Sequence, residues 1–405
     1  MEQVLYSLPD GWKWHKLKAL TTKIGSGATP KGGEKAYKSS GISLIRSLNV
    51  HDCFFKEEKL AFIDDEQANG LKNVVVESGD VLLNITGASI ARCCIVPNEF
   101  LPARVNQHVA IIRPTEYVDS KFLNYLIINP KFKAQLLWQG AGGATRQALT
   151  KAMVEELNIP LPSLPEQKRI VEKLDALLTR IDTAIEHLQQ SVTLADALYA
   201  SELASVFSSG QDKWPLRELN EVAEVARGKS KHRPRNDKSL FGGEYPFIQT
   251  GDVRNAQKYI TNYSATYNEK GLQQSKLWPK DTICLTIAAN IGDVAILGMD
   301  ACFPDSVVGI SSSELETDYL YYFLTTLQQQ LDSKANAAAQ KNINLKILSE
   351  IKIPVPSLDE QKSIVRQINE IDRLAVKAKA EISEKITMMQ QLKASILDSA
   401  FKGEL

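Results

Sequence analysis

Two segments of the chain carry apolar residues alternately four and three positions apart. Ile170, Leu174, Leu177, Ile181, Ala184 and Leu188 form the first series, and Ile364, Ile368, Ile371, Ala375, Ala378 and Ile382 the second. Residues at those intervals share one helix face, which is the a/d seam of a coiled coil. Neither Glu166 to about Ser208 nor Glu360 to about Phe401 contains Pro or Gly, and each opens just after a Pro-containing, Ser-bearing stretch suited to a helix start. The pattern predicts two rods of about 43 residues, roughly 65 Å long at 1.5 Å per residue. A further stripe, Val171, Leu178, Ile185, Val192, Tyr199 and Val206, widens the apolar face of the first, which should therefore also pack on a domain or a partner chain.

Residues 1 to about 150 and about 212 to 345 follow another pattern. Short apolar runs such as SLIRSL, VVVESGDVLLNI, HVAIIRP, TICLTIAANIGDVAIL and VVGIS are bounded by turn residues, as in the strands of mixed sheets. Short helices are expected around Ser120 to Leu137 and Asp318 to Leu331. IPLPSLPEQKRIV, from Ile159, returns as IPVPSLDEQKSIV, from Ile353, at an offset of 194 residues that holds from upstream of both copies to Phe207 and Phe401. A repeat of this length is a duplicated domain pair and not a solenoid unit. The expected fold class is α+β: two mixed-sheet domains separated by two long antiparallel coiled-coil helices, with a pseudo-two-fold repeat. The expected segments are 1–158, a first domain; 159–210, a central helix; 211–352, a second domain; and 353–405, a C-terminal helix. GDVLLNITGASIARCCIV and KDTICLTIAANIGDVAIL align without gaps while the loops around them share almost nothing, which suggests one job done twice on different targets.

Composition narrows the class. With 405 residues, 43% apolar and 24% charged, the chain fits two or three folded domains and excludes disorder as its main state. No run approaches the ~18 apolar residues of a membrane span and the start resembles no signal peptide, so a cytoplasmic location is expected. Cys53, Cys93, Cys94, Cys284 and Cys302 form no CxxC pair and read as reduced, mostly buried thiols. The 48 Lys and Arg balance 48 Asp and Glu, which argues against a polyanionic partner until the charge is resolved by segment. RGKSKHRPRNDK then stands out, with Arg227, Lys229, Lys231, Arg233, Arg235 and Lys238 against Asp237 alone. The matching loop of the first domain, KIGSGATPKGGEKAYK, has Lys23, Lys31, Lys35 and Lys38 against Glu34 alone. Small residues and dense cations suit a loop that lies on a phosphate backbone.

Reading bases requires side chains that donate and accept together or fork onto a base edge. Candidates are Arg46, Asn49, Thr86, Ser89, Arg92, Arg104, Asn106, Gln107, His108, Arg146 and Gln147 in the first domain. In the second they are Gln249, Thr250, Asp252, Arg254, Asn290, Asp305, Ser306, Gln340, Lys341 and Asn342. Catalytic and metal-binding strings are missing: no (N/D)PP(Y/F), GxSxG or HExxH occurs, GSGATPKGG is a poor phosphate loop, and GAGGAT reads as a hinge.

The duplicated IP(L/V)PSL(P/D)EQK(R/S)IV segments, the LPDGWKWHKL start and the SAFKGEL end resemble the specificity subunit of Type I restriction-modification systems over the whole chain. The resemblance implies two target recognition domains, each reading one half of a split, asymmetric site in double-stranded DNA. It implies a coiled coil that sets the spacer and docks two methyltransferase subunits, with two restriction/translocase subunits where cleavage accompanies methylation. It also implies no catalysis, metal or cofactor in this chain, with AdoMet, ATP and Mg held by the partner subunits. The alternatives are a coiled-coil scaffold with protein-binding domains and a DNA-modifying enzyme with an unfamiliar site. The end of the chain matches the point where the first helix would run on into a domain, so chain start and chain end should lie together. Replacing Arg233 and Arg235 by Ala should weaken binding to all DNA sequences and lower the dependence of log K on log salt; an unchanged slope contradicts the phosphate clamp.

Overall fold

In the computed structural model both heptad segments are single helices, a central one over Leu164–Ser209 and a C-terminal one over Leu358–Phe401. The structure describes residues 8–141, 148–210, 213–231, 234, 236–288, 291–328 and 345–405. The central helix starts earlier than its heptads predict because Pro165 is tolerated in a first turn, where its missing N–H has no partner to lose. The C-terminal helix is capped reciprocally, Ser357 N donating to the Glu360 carboxylate at 2.9 Å and Glu360 N to Ser357 Oγ at 3.4 Å.

The chain forms two compact units, Met1–Gln189 with Ser383–Leu405, and Gln190–Ile382, so each unit contains part of both helices. In the first, Arg169 donates to Leu405 O at 2.6 Å and Lys393 pairs with Asp182 at 2.7 Å; positions rise along one helix as they fall along the other. In the second, Lys379 pairs with Asp196 at 2.7 Å and Leu203 and Phe207 share a core with Ile364, Val365 and Ile368, again antiparallel. The corresponding core of the first unit joins Ile170, Val171 and Leu174 to Leu397 and Phe401, the same set displaced by one repeat. The first described residues meet the end of the chain: a Cβ on Gly403 would stand 2.3 Å from Pro9 Cγ, and Leu405 and Trp12 pack on one core.

Both domains follow one plan. In the first, the strand order 21–26, 109–114, 81–84, 93–95 makes an antiparallel sheet, and 61–63, 42–45, 103–105, 75–76 a mixed one. In the second, 224–227, 307–311, 283–286, 294–297, 259–260 and 265–267, 241–247, 301–302, 277–278 repeat the scheme. A helix lies against the first sheet in each, over Ser120–Ile128 and Thr317–Thr326. The helical stretch expected from Ser120 to Leu137 is two helices, because Asn129 caps one and Pro130 begins the next, Pro130–Ala141. The end expected for the Asp318 helix lies outside the described residues. Cys93, Cys94, Cys284 and Cys302 are buried, and burial pushes the Cys94 thiol up to about 12.

Two expectations need correction. The C-terminal helix turns Ala378 outward and continues its half-buried stripe through Lys379, Ile382, Ile386 and Met389. The ungapped alignment also slips by one residue. Leu83 pairs with Cys93 and Leu285 with Val294, so the first strands are 202 apart and the second 201, with a shorter loop in the second domain. A slip of one matters because it exchanges the two faces of a strand.

The EQK glutamine joins the rod, the start of the sheet-packed helix with the segment before it, and the linker in each unit. Gln167 accepts from Asp119 N at 2.8 Å and donates to Tyr117 O and Pro162 O, both at 3.0 Å. Gln361 accepts from Glu316 N at 2.7 Å and donates to Glu314 O at 3.3 Å and Pro356 O at 3.0 Å. Both are buried, Gln167 fully and Gln361 with 1% of its surface exposed. Gln361→Leu removes the partner of Glu316 N, Glu314 O and the buried Pro356 O and should lower unfolding free energy by about 2–3 kcal/mol. Urea denaturation of the full chain measures it; a loss below about 0.5 kcal/mol contradicts this role.

Candidate nucleic-acid interface

Antiparallel pairing gathers distant segments at one end of the first sheet in each unit. In the first unit Ser26 pairs with Ala110, Val109 with Asn84 and Leu83 with Cys93. The loop after Ser26, the loop from Ile85 to Arg92 and the turn Asn106–His108 therefore converge there. Two backbone bonds join them, Gly27 N to Asn106 O at 3.1 Å and Ile85 N to His108 O at 3.0 Å. The second unit repeats the latter with Ile287 N to Ser306 O at 3.0 Å, while Gly228 N donates to Val307 O at 2.9 Å, three residues beyond the position equivalent to Asn106. Glycine is required at both crossings: a Cβ on Gly27 would stand 1.6 Å from Val105 O, and one on Gly228 2.3 Å from Phe303 O.

The predicted cations separate into two groups. Lys31, Lys35, Lys229, Lys231 and Lys238 are exposed and make no ion pair among the described residues; Arg227 is exposed beside them. Lys38 is exposed but pairs with Asp64 at 3.1 Å. Lys23 stands apart, half-buried in its strand opposite Arg113. Burial, and then the Arg113 charge, hold its ammonium below the usual lysine range. Arg113 is itself anchored on buried Asp80 at 2.7 Å.

Several predicted base readers are committed to internal bonds. Asn49 is fully buried, accepting from Arg46 N at 3.1 Å and donating to Lys56 O at 2.9 Å. Asp252 occupies the same turn in the second unit, accepting from Gln249 N at 2.8 Å, and Gln249 donates to Ser264 at 3.3 Å. Thr250 begins the short helix that this cap closes. Arg46 pairs with Glu34 at 3.0 Å and donates to Lys59 O at 2.6 Å. Arg104 donates to Ala68 O and Ala103 O, burial lowering its pKa. Asn106 is buried and accepts from His108 N. Ser89 accepts from Asn84 at 3.1 Å, and Arg92 is half-buried at the end of that loop.

What the sheet ends present is a smaller set. In the first unit Thr86, Gln107 and His108 lie there, joined by Thr29, which sequence patterns did not single out. In the second, Asp305 and Ser306 are half-buried, Arg254 is exposed, and Asp293 accepts from Gln328 at 2.8 Å. Neither Asp293 nor Gln328 was foreseen, because only the fold brings them together. Arg146, Gln147, Arg233, Arg235, Asn290, Gln340, Lys341 and Asn342 lie outside the described residues. Sequence reading also passed over exposed apolar pairs on the rods. Leu194 and Leu198 are 68% and 63% exposed, and Met388 and Leu392 53% and 45%. They are the same two positions one repeat apart, a signal present in the sequence but off the heptad.

The family model described as "Type I restriction modification DNA specificity domain" matches twice, over residues 9–194 and 211–388. The chain is 22% identical to the Type I restriction enzyme StySPI specificity subunit of Salmonella potsdam, across 98% of this chain and 90% of that one. It is 25% identical to the EcoBI specificity subunit of Escherichia coli, across 99% and 88%. Its fold is similar to a chain from a solved type I R-M system (TM-score 0.77, 22% identity, 99% and 100% covered). It is similar too to the HsdS subunit from Thermoanaerobacter tengcongensis (TM-score 0.59, 23% identity, each chain fully covered).

Burial raises the Asp293 carboxyl above the usual aspartate range, against the lowering effect of Arg254 and Gln328. Between the two values the folded chain keeps a proton that the unfolded chain has lost, so this group's contribution to stability falls as pH rises through that window. Asp293→Asn should flatten that part of the slope, just above the usual aspartate range, read by denaturation at stepped pH. A slope equal to the parent's contradicts the burial account.

Proposed function

The chain belongs to the family of Type I restriction-modification DNA specificity domains, of which it carries two, and from that premise we propose that it is the sequence-reading subunit of a Type I complex. Each recognition domain reads one half of a split, asymmetric site in double-stranded DNA, and the paired helices set the spacer. The observation that carries this reading is the twofold occurrence of one frame. In both units the same sheet end gathers a glycine-crossed loop with exposed lysines and a cluster of polar side chains, while the identities of those side chains differ. A common scaffold with unlike readers suits two unlike half-sites. Phosphate contact by Lys31, Lys35, Lys229 and Lys231 would position each domain without specifying sequence.

Two copies of a modification subunit would dock on the rods. Leu194 with Leu198, and Met388 with Leu392, give each repeat one exposed apolar pair a helical turn apart, which suits two copies of a single partner. Recognition is this chain's share of the work. Methyl transfer from AdoMet, and any cleavage driven by ATP with Mg, belong to the modification and restriction subunits. No described helix is long and apolar enough to cross a membrane.

Co-expression of the full chain with its modification subunit, followed by mapping of methylated bases across the genome, should yield one bipartite motif with a fixed gap. Methylation without a motif contradicts the reading. Leu194→Ser with Leu198→Ser should reduce the complex from two modification subunits to one by native mass, and adding Met388→Ser with Leu392→Ser should remove the second. Retention of both copies by the fourfold variant contradicts this docking.

A further inference from the structure

One hydrogen-bonded chain in the first unit runs from the loop after Ser26 to the loop after Asn84. Thr29 Oγ1 bonds Gln107 Oε1; Gln107 Nε2 bonds His108 Nε2 at 3.2 Å; and His108 Nδ1 bonds Thr86 Oγ1 at 2.5 Å. The backbone beneath it is held independently. His108 N donates to the Asn106 side chain at 3.0 Å, Asn106 N to Ile45 O at 3.0 Å and Gly27 N to Asn106 O at 3.1 Å. The loops are therefore joined without the side-chain series, and the fold does not require Gln107 to be ordered.

Gln107 is nevertheless exposed with both ends of its amide tethered to different residues. A solvated surface glutamine has no reason to lose that rotamer freedom, whereas a reader benefits from losing it before its ligand arrives. One internal bond at each end leaves the oxygen a second lone pair and the nitrogen a second hydrogen. A donor and an acceptor side by side on a planar amide match adenine in the major groove, whose N7 accepts and whose N6 amino group donates. The second unit has the same frame but Asp305 and Ser306 at the corresponding turn, so the series distinguishes one domain from the other on a shared scaffold.

Resting on the function proposed above, we infer that Gln107 reads an adenine in the half-site bound by the first unit, donating to N7 and accepting from the N6 amino group, with Thr29, His108 and Thr86 as positioning residues. His108 in its neutral form has one ring nitrogen to accept from Gln107 and one N–H to give Thr86, so a single tautomer orders the whole series.

The test uses the full chain co-expressed with its modification subunit, with methylated motifs mapped for each variant. Gln107→Glu leaves only acceptors and should change one position of one half-site from adenine towards cytosine, or make it degenerate, by about 10-fold or more in relative methylation. His108→Ala should relax the same position, and His108→Asn, which keeps a partner for Gln107, should restore part of the discrimination. A normal bipartite motif that stays unchanged in Gln107→Glu, or that changes in both half-sites, overturns the assignment of Gln107 alone. A parent chain that yields no bipartite motif overturns the functional reading, and this inference with it.

Discussion

A buried glutamine side chain must satisfy both ends of its amide, and in this protein that constraint decides where the long helices begin relative to the sheets. Gln167 and Gln361 each bond three backbone groups drawn from the helix that lies on the sheet, the segment before it and the linker that precedes the rod. An unpaired amide there would cost more than most single contacts in the domain. Rods seated in this way place their first turns under the domain core, where Ile170 and Leu174, and Ile364 and Ile368, become its floor. Farther along, away from the domains, the seam is only half-buried and the outward face carries exposed leucines and a methionine. Packing thus weakens in the middle of each rod, between the core residues at its two ends, where apolar surface is left exposed.

The same constraint explains why the repeat is so visible at the helix starts and so faint elsewhere. Residues that close a buried network tolerate little change, whereas loops at a sheet end need only Gly27 or Gly228 at the crossing and are otherwise open to variation. Charge follows this division. Lys31, Lys35, Lys229 and Lys231 sit exposed on the loops, while the rods carry Asp182 and Asp196 in exposed pairs with Lys393 and Lys379, so the neutral total averages regions with separate tasks. Surface pairs of that kind add little stability, and their value is in fixing the antiparallel direction and register of the helices.

The duplicated helices, the mixed sheets and the meeting of Pro9 and Trp12 with the end of the chain were legible in the sequence because each depends on periodicity or on a long repeat. The polar site was much less legible. Asn49 and Asp252 have the chemistry of base readers and sit at matched positions, yet they match because both close the same turn, a use of Asn and Asp that residue type cannot separate from recognition. Lys23 looked like part of a phosphate-binding loop, but one strand residue more carries it beside Arg113. The link from Thr29 through Gln107 to Thr86 joins residues as far as 78 positions apart and depends on sheet pairing to bring them together.

At the centre of this account is the separation of tasks, with base reading in the domains and spacing in the paired helices. Inserting one heptad into both helices, after Gln189 in one and after Ile382 in the other, preserves the facing stripes and lengthens the rods by roughly 10 Å, about three base pairs at ~3.4 Å each. Mapping the methylated motif of that variant, in complex with its modification subunit, measures the separation directly. The account predicts both half-sites unchanged and a gap longer by about three base pairs; an unchanged gap, or altered half-site sequences, would contradict it.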